Sequence, residues 1–187
     1  MSRSTDNETR ATEELARYGL RSEPFSNAEK RVRKTPDRRV FSGTDFAFFF
    51  EVKEIAADPR MGVRSDPIGN RLTGDIHTAV KQFDSVNPDL VHPNVLAFIN
   101  NDRMCGSLDL VGVFTGHLLL EGGGSAPIYL NYSEGRIKDE KNRIHLYLWL
   151  DSFKVNQKHF NFVDKRHLTR LCRYFGLKEQ DIQIIGT

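Results

Sequence analysis

The 187-residue sequence predicts an α/β protein with a mixed central sheet flanked by helices, followed by an additional C-terminal β-hairpin and helix. Three observations carry that prediction. The phenylalanine-rich run DFAFFFEVKEI has the composition of a buried strand. The segment DIHTAVKQFDSV places Ile76, Ala79, Val80 and Phe83 at the i, i+3, i+4, i+7 spacing of an amphipathic helix. The apolar run NVLAFIN then reads as a strand covered on both faces, so strand, helix and strand form a crossover unit returning to one sheet.

Taken in order, residues 1–8 are polar and expected to fray, and TRATEELARYGL predicts a first helix over about 9–18, with Ala11, Leu15 and Ala16 on one side and Gly19 near its stop. SNAEKRVRKTPD reads as a basic connector, in which Pro36 disfavours helix at Thr35 and sends the chain into an extended segment. RRVFS is a strand, Ser42 to Asp45 a turn, and Phe46 to Ile55 a longer strand that completes a hairpin. Ala56 to Gly74, rich in Gly and Pro, reads as a long loop whose Arg60, Arg64 and Arg71 face solvent or a ligand. Asp75 then stands as the N-cap of the next helix.

Beyond residue 101 the pattern is more mixed. Residues 106–120 read as a helix weakened by Gly112 and Gly116, and Gly122 to Gly124 as a loop. Residues 128–153 read as a hairpin around a charged turn, with Ile144, Leu146, Leu148 and Leu150 alternating against His145, Tyr147, Trp149 and Asp151. A last helix over about 165–175 carries Leu168, Leu171, Cys172 and Phe175, and DIQIIG adds a short strand. One domain over 1–187 is expected, with its core at about 9–101 and a C-terminal elaboration at 102–187.

Composition narrows the function classes. With 39% hydrophobic and 28% charged residues and 13 Phe, the chain can build a core without disulfides or a structural metal. A formal charge of +2 does not by itself advertise a nucleic-acid partner, so the distribution of charge matters more than its sum. Cys105 and Cys172 form no CxxC pair, and no apolar run approaches the roughly 18 residues that span a bilayer. The expected setting is a reducing cytoplasm, with no membrane partner.

The chemistry-bearing feature is the end of the phenylalanine strand. Alternation puts Phe49, Glu51, Lys53 and Ile55 on one face and Phe48, Phe50 and Val52 on the other. A buried carboxylate beside a buried ammonium calls for mutual pairing, a wet cleft or a metal. Asp37, fourteen positions before Glu51 at the start of the partner strand, is carried back alongside it if the turn lies at Ser42 to Asp45. Asp37 and Glu51 can then share a divalent cation such as Mg²⁺, which takes one or two carboxylates and keeps waters, with the Val52 carbonyl in reach as a neutral ligand.

Pro36-Asp37, a turn, and Glu51-Val52-Lys53 resemble the PD-(D/E)xK, or restriction-endonuclease-like, nuclease superfamily, and the elements around them fit its αβββαβ core over residues 9 to about 101. The resemblance implies a nuclease that hydrolyses phosphodiester bonds, DNA ahead of RNA. Asp37 and Glu51 bind Mg²⁺, for which Mn²⁺ substitutes, and Lys53 orients the attacking water and offsets charge on the phosphate. It also implies a carboxylate from the first helix, Glu14 in preference to Glu13, and a polar residue on the helix after Lys53, Gln82. The chain departs from the pattern in strand count: no third core strand is visible between Lys53 and the helix that follows. Two active sites are needed to cut both strands of a duplex, so a homodimer is a further expectation. The alternative is a non-catalytic nucleic-acid-binding or interaction module on the same fold.

Other candidates carry less. Lys30, Arg31, Arg33, Lys34, Arg38 and Arg39 form either a solvated connector or an edge that contacts nucleic-acid phosphates, and Lys158, Lys165, Arg166, Arg170 and Arg173 can extend that track. Six histidines lack zinc spacing, Gly122 to Gly124 is no phosphate-binding P-loop, and Ser125 has no nucleophile-elbow context. Tyr129, Tyr147 and Trp149 are either base-stacking or packed.

Overall fold

The computed structural model describes residues 3–57, 68–119, 124–127, 137, 139–153, 158–182 and 184–185. The helices are α1 (Arg3–Ala16), α2 (Asn27–Val32), α3 (Ile68–Asp84), α4 (Ser107–Thr115) and α5 (Leu168–Phe175). The strands are β1 (Leu20–Pro24), β2 (Arg38–Ser42), β3 (Asp45–Ile55), β4 (Asn94–Asn100), β5 (His117–Leu119), β6 (Ser125–Pro127), β7 (Leu146–Asp151) and β8 (Lys158–Asn161). Six strands form one mixed sheet in the order β1-β2-β3-β4-β7-β8, and β5 and β6 form a separate antiparallel pair. Neighbours β1, β2 and β3 are antiparallel, β3, β4 and β7 run parallel, and β8 closes the edge antiparallel to β7.

The β2–β3 hairpin follows from its sequence. Ser42 pairs with Asp45 across a two-residue loop, and Gly43 alone of its two central residues has positive φ, at 60°, the II′ arrangement that matches strand twist. A bulge interrupts the register between Val40 and Phe41, which pair with Phe48 and Phe46. It lets Phe46 join Phe49 on one face while Ala47 and Phe48 turn to the other. From Phe48 onward the alternation is regular.

Each face has its own core. Phe49, Ile55, Leu96, Phe98, Tyr147 and Trp149 pack against α3 and α4 through Leu72, Ile76, Val80, Phe83, Leu110 and Phe114. Phe48, Phe50, Val95, Ala97, Leu146 and Leu148 pack against α1 and α5 through Ala11, Leu15, Leu171 and Phe175. Strands β4 and β7 are buried along their whole length because helices cover both sides.

Several expectations need correction. The third antiparallel strand is β1, ahead of Asp37 rather than after Lys53; its sequence LRSEP buries only Leu20 at its start, so it carries no apolar alternation. The basic connector holds a helix, α2, opened by a capping box in which the Ser26 hydroxyl and the Glu29 carboxylate satisfy each other's backbone amides. α1 begins at Arg3, and α3 begins at Ile68, seven residues before Asp75, so Asp75 is inside the helix and not its cap. Both edges of β7 are occupied, by β4 and β8, in place of the expected hairpin. The first half of that hairpin, 128–132, lies outside the described residues, as do Arg60 and Arg64. The segment read as helix over 106–120 ends at Gly116, whose φ of 72° provides the left-handed cap, and continues into β5. DIQIIG contributes a single parallel bridge, Ile184 to Phe162.

Candidate active site

The sheet brings Asp37 and Glu51 together at the point where β2 begins and β3 continues past it. The Asp37 amide donates to Glu51 Oε2 at 2.8 Å, and the Val52 amide donates to Asp37 Oδ2 at 2.8 Å. Each carboxylate thus accepts from backbone belonging to the other side of the pair. The N–H and C=O of one strand residue point the same way, so the Val52 carbonyl faces the same gap as its amide. Glu51 Oε1 accepts from Lys53 Nζ at 2.6 Å. Glu51 itself is only 1% exposed while Lys53 is half-buried, so the carboxylate is the buried member of the ion pair and the pair needs further partners.

Gln82 supplies one of them. Its Oε1 accepts from Lys53 Nζ at 3.2 Å, and its Nε2 donates to the Thr35 carbonyl at 3.0 Å. One amide therefore links the ammonium to the segment that leads into Asp37. The end of α3 strengthens that link: Arg33 Nη1 donates to the Ser85 carbonyl at 3.1 Å, and the Ser85 hydroxyl bonds the Lys34 carbonyl. Thr35 and Pro36 are buried between these anchors, so the backbone that aims Asp37 is fixed from both sides.

Burial pushes the Glu51 carboxyl up to about 7; the neighbouring Asp37 charge adds to the rise, and Lys53 opposes it. A carboxyl raised above its ordinary 4.5 keeps its proton in the native state after the unfolded chain has lost it. Native protein then binds more protons between about 4.5 and about 7, so stability falls as pH rises through that window. The expected loss is about 3 kcal/mol between pH 4.5 and 8 in metal-free protein, measured by denaturant unfolding, and Glu51→Gln flattens the profile.

The structure separates Glu14 from this group. Its carboxylate bonds Lys158 Nζ at 2.5 Å and Arg17 Nη1 at 3.0 Å, and its helix packs on the Phe48 and Phe50 face, opposite to Glu51 and Lys53. The preference for Glu14 as a first-helix carboxylate at the site is corrected on that ground. The basic residues also divide. Arg39 pairs with Glu29 and lies 3.9 Å over the Phe25 ring, and Arg39 with the Ser26 hydroxyl holds the Glu29 carboxyl down at about 2. Arg38 bonds the Ser22 hydroxyl and pairs with Glu8. Lys30, Arg31, Arg33 and Lys34 are exposed. In the second cluster Lys158 is engaged by Glu14, while Lys165, Arg166 and Arg173 are exposed.

Asp75 is the residue that sequence reasoning missed. Burial pushes its carboxyl up, against the pull of Lys53 and Arg71, and its Oδ2 is buried with no hydrogen-bond partner among the described residues. The signal was present: Leu72, Ile76, Ala79 and Phe83 continue the apolar stripe of α3 back past residue 75. Arg71, expected to face solvent or a ligand, instead donates to the carbonyls of Glu54 at 2.9 Å and Ala56 at 3.4 Å.

Tyr147 and Trp149 are fully buried, with the Tyr147 hydroxyl on the Lys141 carbonyl at 2.9 Å, so they are packed and offer no stacking surface. Tyr129 lies outside the described residues. Burial pushes His145 down to about 3, which keeps it neutral. Among the described residues no group of three or more His, Cys, Asp or Glu could hold a metal ion, so a cation at Asp37 and Glu51 would rely on two carboxylates, a backbone carbonyl and water. Among the described residues no helix is long and apolar enough to cross a membrane. No family model, curated protein or solved structure matches the chain.

Proposed function

We propose that this chain is a Mg²⁺-dependent nuclease of the PD-(D/E)xK, restriction-endonuclease-like type that hydrolyses phosphodiester bonds, with DNA ahead of RNA as substrate and Mn²⁺ as a substitute ion. One observation carries the reading: the Asp37 amide donates to the Glu51 carboxylate and the Val52 amide to the Asp37 carboxylate, both at 2.8 Å, and Lys53 Nζ donates to Glu51 at 2.6 Å. The element order supports it as well. Setting aside the short α2, the chain runs α1-β1-β2-β3-α3-β4 with β3 and β4 parallel, an αβββαβ succession.

The residues fit the ion by their chemistry. Asp37 and Glu51 carboxylates and the Val52 carbonyl form an all-oxygen donor set, as a hard cation requires, and the Asp37 charge that adds to the rise of the Glu51 carboxyl is one a divalent cation would offset. Bound there, Mg²⁺ would supply charge neutralisation on the phosphoryl oxygens and acidify water. The chain's own part is positional. Lys53 holds the attacking water and offsets charge on the phosphate, and Gln82 fixes the Lys53 ammonium against Thr35.

Lys30, Arg31 and Lys34, exposed beside the entry to β2, contact the nucleic-acid backbone in this reading. Replacing all three by alanine weakens binding about equally on every sequence and lowers the slope of log affinity against log salt by about 2 to 3. A filter-binding titration at several salt concentrations measures it. A second copy of the chain supplies the second active site for duplex cleavage.

The direct test is cleavage of single-stranded, duplex and branched substrates by purified protein with Mg²⁺ or Mn²⁺, with chelator as the blank. Metal-dependent cleavage is expected. Binding of nucleic acid without cleavage of any of them would make the chain a binding module on this fold.

A further inference from the structure

The Lys53 ammonium and the Asp37 amide each hold one oxygen of the Glu51 carboxylate. Lys53 Nζ bonds Glu51 Oε1 at 2.6 Å, while Glu51 Oε2 is taken by the Asp37 amide. A cation that claims Oε1 displaces the ammonium, and a displaced ammonium inside the protein requires a new counter-charge. Asp75 lies in position to provide it.

The position follows from α3. Residues 71, 75 and 82 are separated by 4 and 7 positions, which at about 100° per residue puts all three within about 40° on one face. Arg71 is fastened to the Glu54 and Ala56 carbonyls at one end of that stripe, and Gln82 to Lys53 and Thr35 at the other. Asp75 stands between them, facing β3, and the Lys53 and Arg71 charges act on its carboxyl. Arg71 is committed to two carbonyls, and Asp75 Oδ2 is buried without a hydrogen-bond partner among the described residues. A buried acceptor of this kind normally finds a donor.

Resting on the nuclease reading, we infer that Asp75 is a positioning residue for Lys53: when a divalent cation takes Glu51, the ammonium leaves that carboxylate and pairs with Asp75 while keeping Gln82. Lys53 is thus a resident placeholder at the cation site, and α3 carries its second berth. The exchange keeps the ammonium paired in both states and gives Asp75 Oδ2 the donor it lacks without the cation. It also leaves Lys53 charged and beside the site, where its role toward phosphate requires it.

Calorimetric titration of the full chain with Mg²⁺ alone, without nucleic acid, tests this. Asp75→Asn raises the Mg²⁺ dissociation constant about tenfold, because the displaced ammonium has lost its counter-charge. In a Lys53→Met background the same substitution changes it by less than about twofold, since no ammonium is displaced. In the unsubstituted protein, Mg²⁺ moves the carboxyl-carbon resonance of Asp75 together with the Lys53 ammonium resonance. The inference is overturned if Asp75→Asn binds Mg²⁺ as tightly as the parent, if its effect is equal in both backgrounds, or if Mg²⁺ binds and the Asp75 resonance stays still. Those results leave the nuclease reading intact. If the parent chain binds no Mg²⁺ or Mn²⁺ at all, the two fall together.

Discussion

In the proposed nuclease, Lys53→Ala is expected to slow phosphodiester cleavage about 10²- to 10³-fold while Mg²⁺ binding is retained or strengthened. The size follows from removing one fixed cation or donor aimed at charge that develops in the transition state, inside a site largely shielded from water. The direction of the binding change follows from geometry. Lys53 Nζ is bonded to Glu51 Oε1, so its removal frees a carboxylate oxygen that an incoming cation otherwise wins by displacement. Loss of rate with metal affinity kept is a signature that a folding defect does not produce. Single-turnover cleavage combined with calorimetry reads both quantities on one preparation. Equal rates for Lys53→Ala and the parent chain would remove Lys53 from the chemistry.

Trp149→Ala destabilises the protein by about 3 to 5 kcal/mol, the range for truncating a large buried aromatic. Trp149 sits mid-strand in β7, fully buried, with its ring 5.9 Å from that of Phe98 on the parallel neighbour β4. Its indole N–H donates to Asp151 Oδ1 at 3.0 Å, and the same oxygen accepts from Asn100 Nδ2 at 2.7 Å. Alanine there opens a cavity in the core between the sheet and helices α3 and α4 and leaves Asp151 with one donor fewer. Denaturant unfolding followed by circular dichroism measures the loss. A surface tryptophan used for stacking on bases would instead cost well under 1 kcal/mol, so the same experiment separates the packed side chain from a binding platform.

The site was legible where strand periodicity decides it. Once DFAFFFEVKEI is a strand, Glu51 and Lys53 share a face, and a tight turn at Gly43 brings Asp37 back to them. Gln82, which the resemblance implies as a polar residue on the helix after Lys53, bonds Lys53. Glu14 misled because a helix's amphipathic stripe says which residues are buried and not which layer buries them. Ala11 and Leu15 pack on the far face of the sheet, and Glu14 goes with them to Lys158.

Elements were missed where packing overrides local propensity. Gly69 and Gly74 disfavour helix by about 1 kcal/mol each, yet Leu72, Thr73 and Ile76 are buried and keep α3 helical from Ile68. Reading the glycines as a loop is what turned Asp75 into a cap. β1 is an edge strand held by backbone pairing to β2, with four of its five residues exposed or half-buried, so hydrophobic pattern does not report it. α2 was legible after all, since Ser26 followed by Glu29 is a capping-box signature.

In the proposed nuclease, Asp37 and Glu51 hold one divalent cation between them. A crystal of the full chain soaked in Mn²⁺, with diffraction recorded at a wavelength where manganese scatters anomalously, tests it most directly. One anomalous peak is expected within about 2.3 Å of oxygens from Asp37, Glu51 and the Val52 carbonyl, with Lys53 Nζ withdrawn from Glu51. A crystal that takes up Mn²⁺ elsewhere, with Lys53 still bonded to Glu51 and no peak between the two carboxylates, would contradict it.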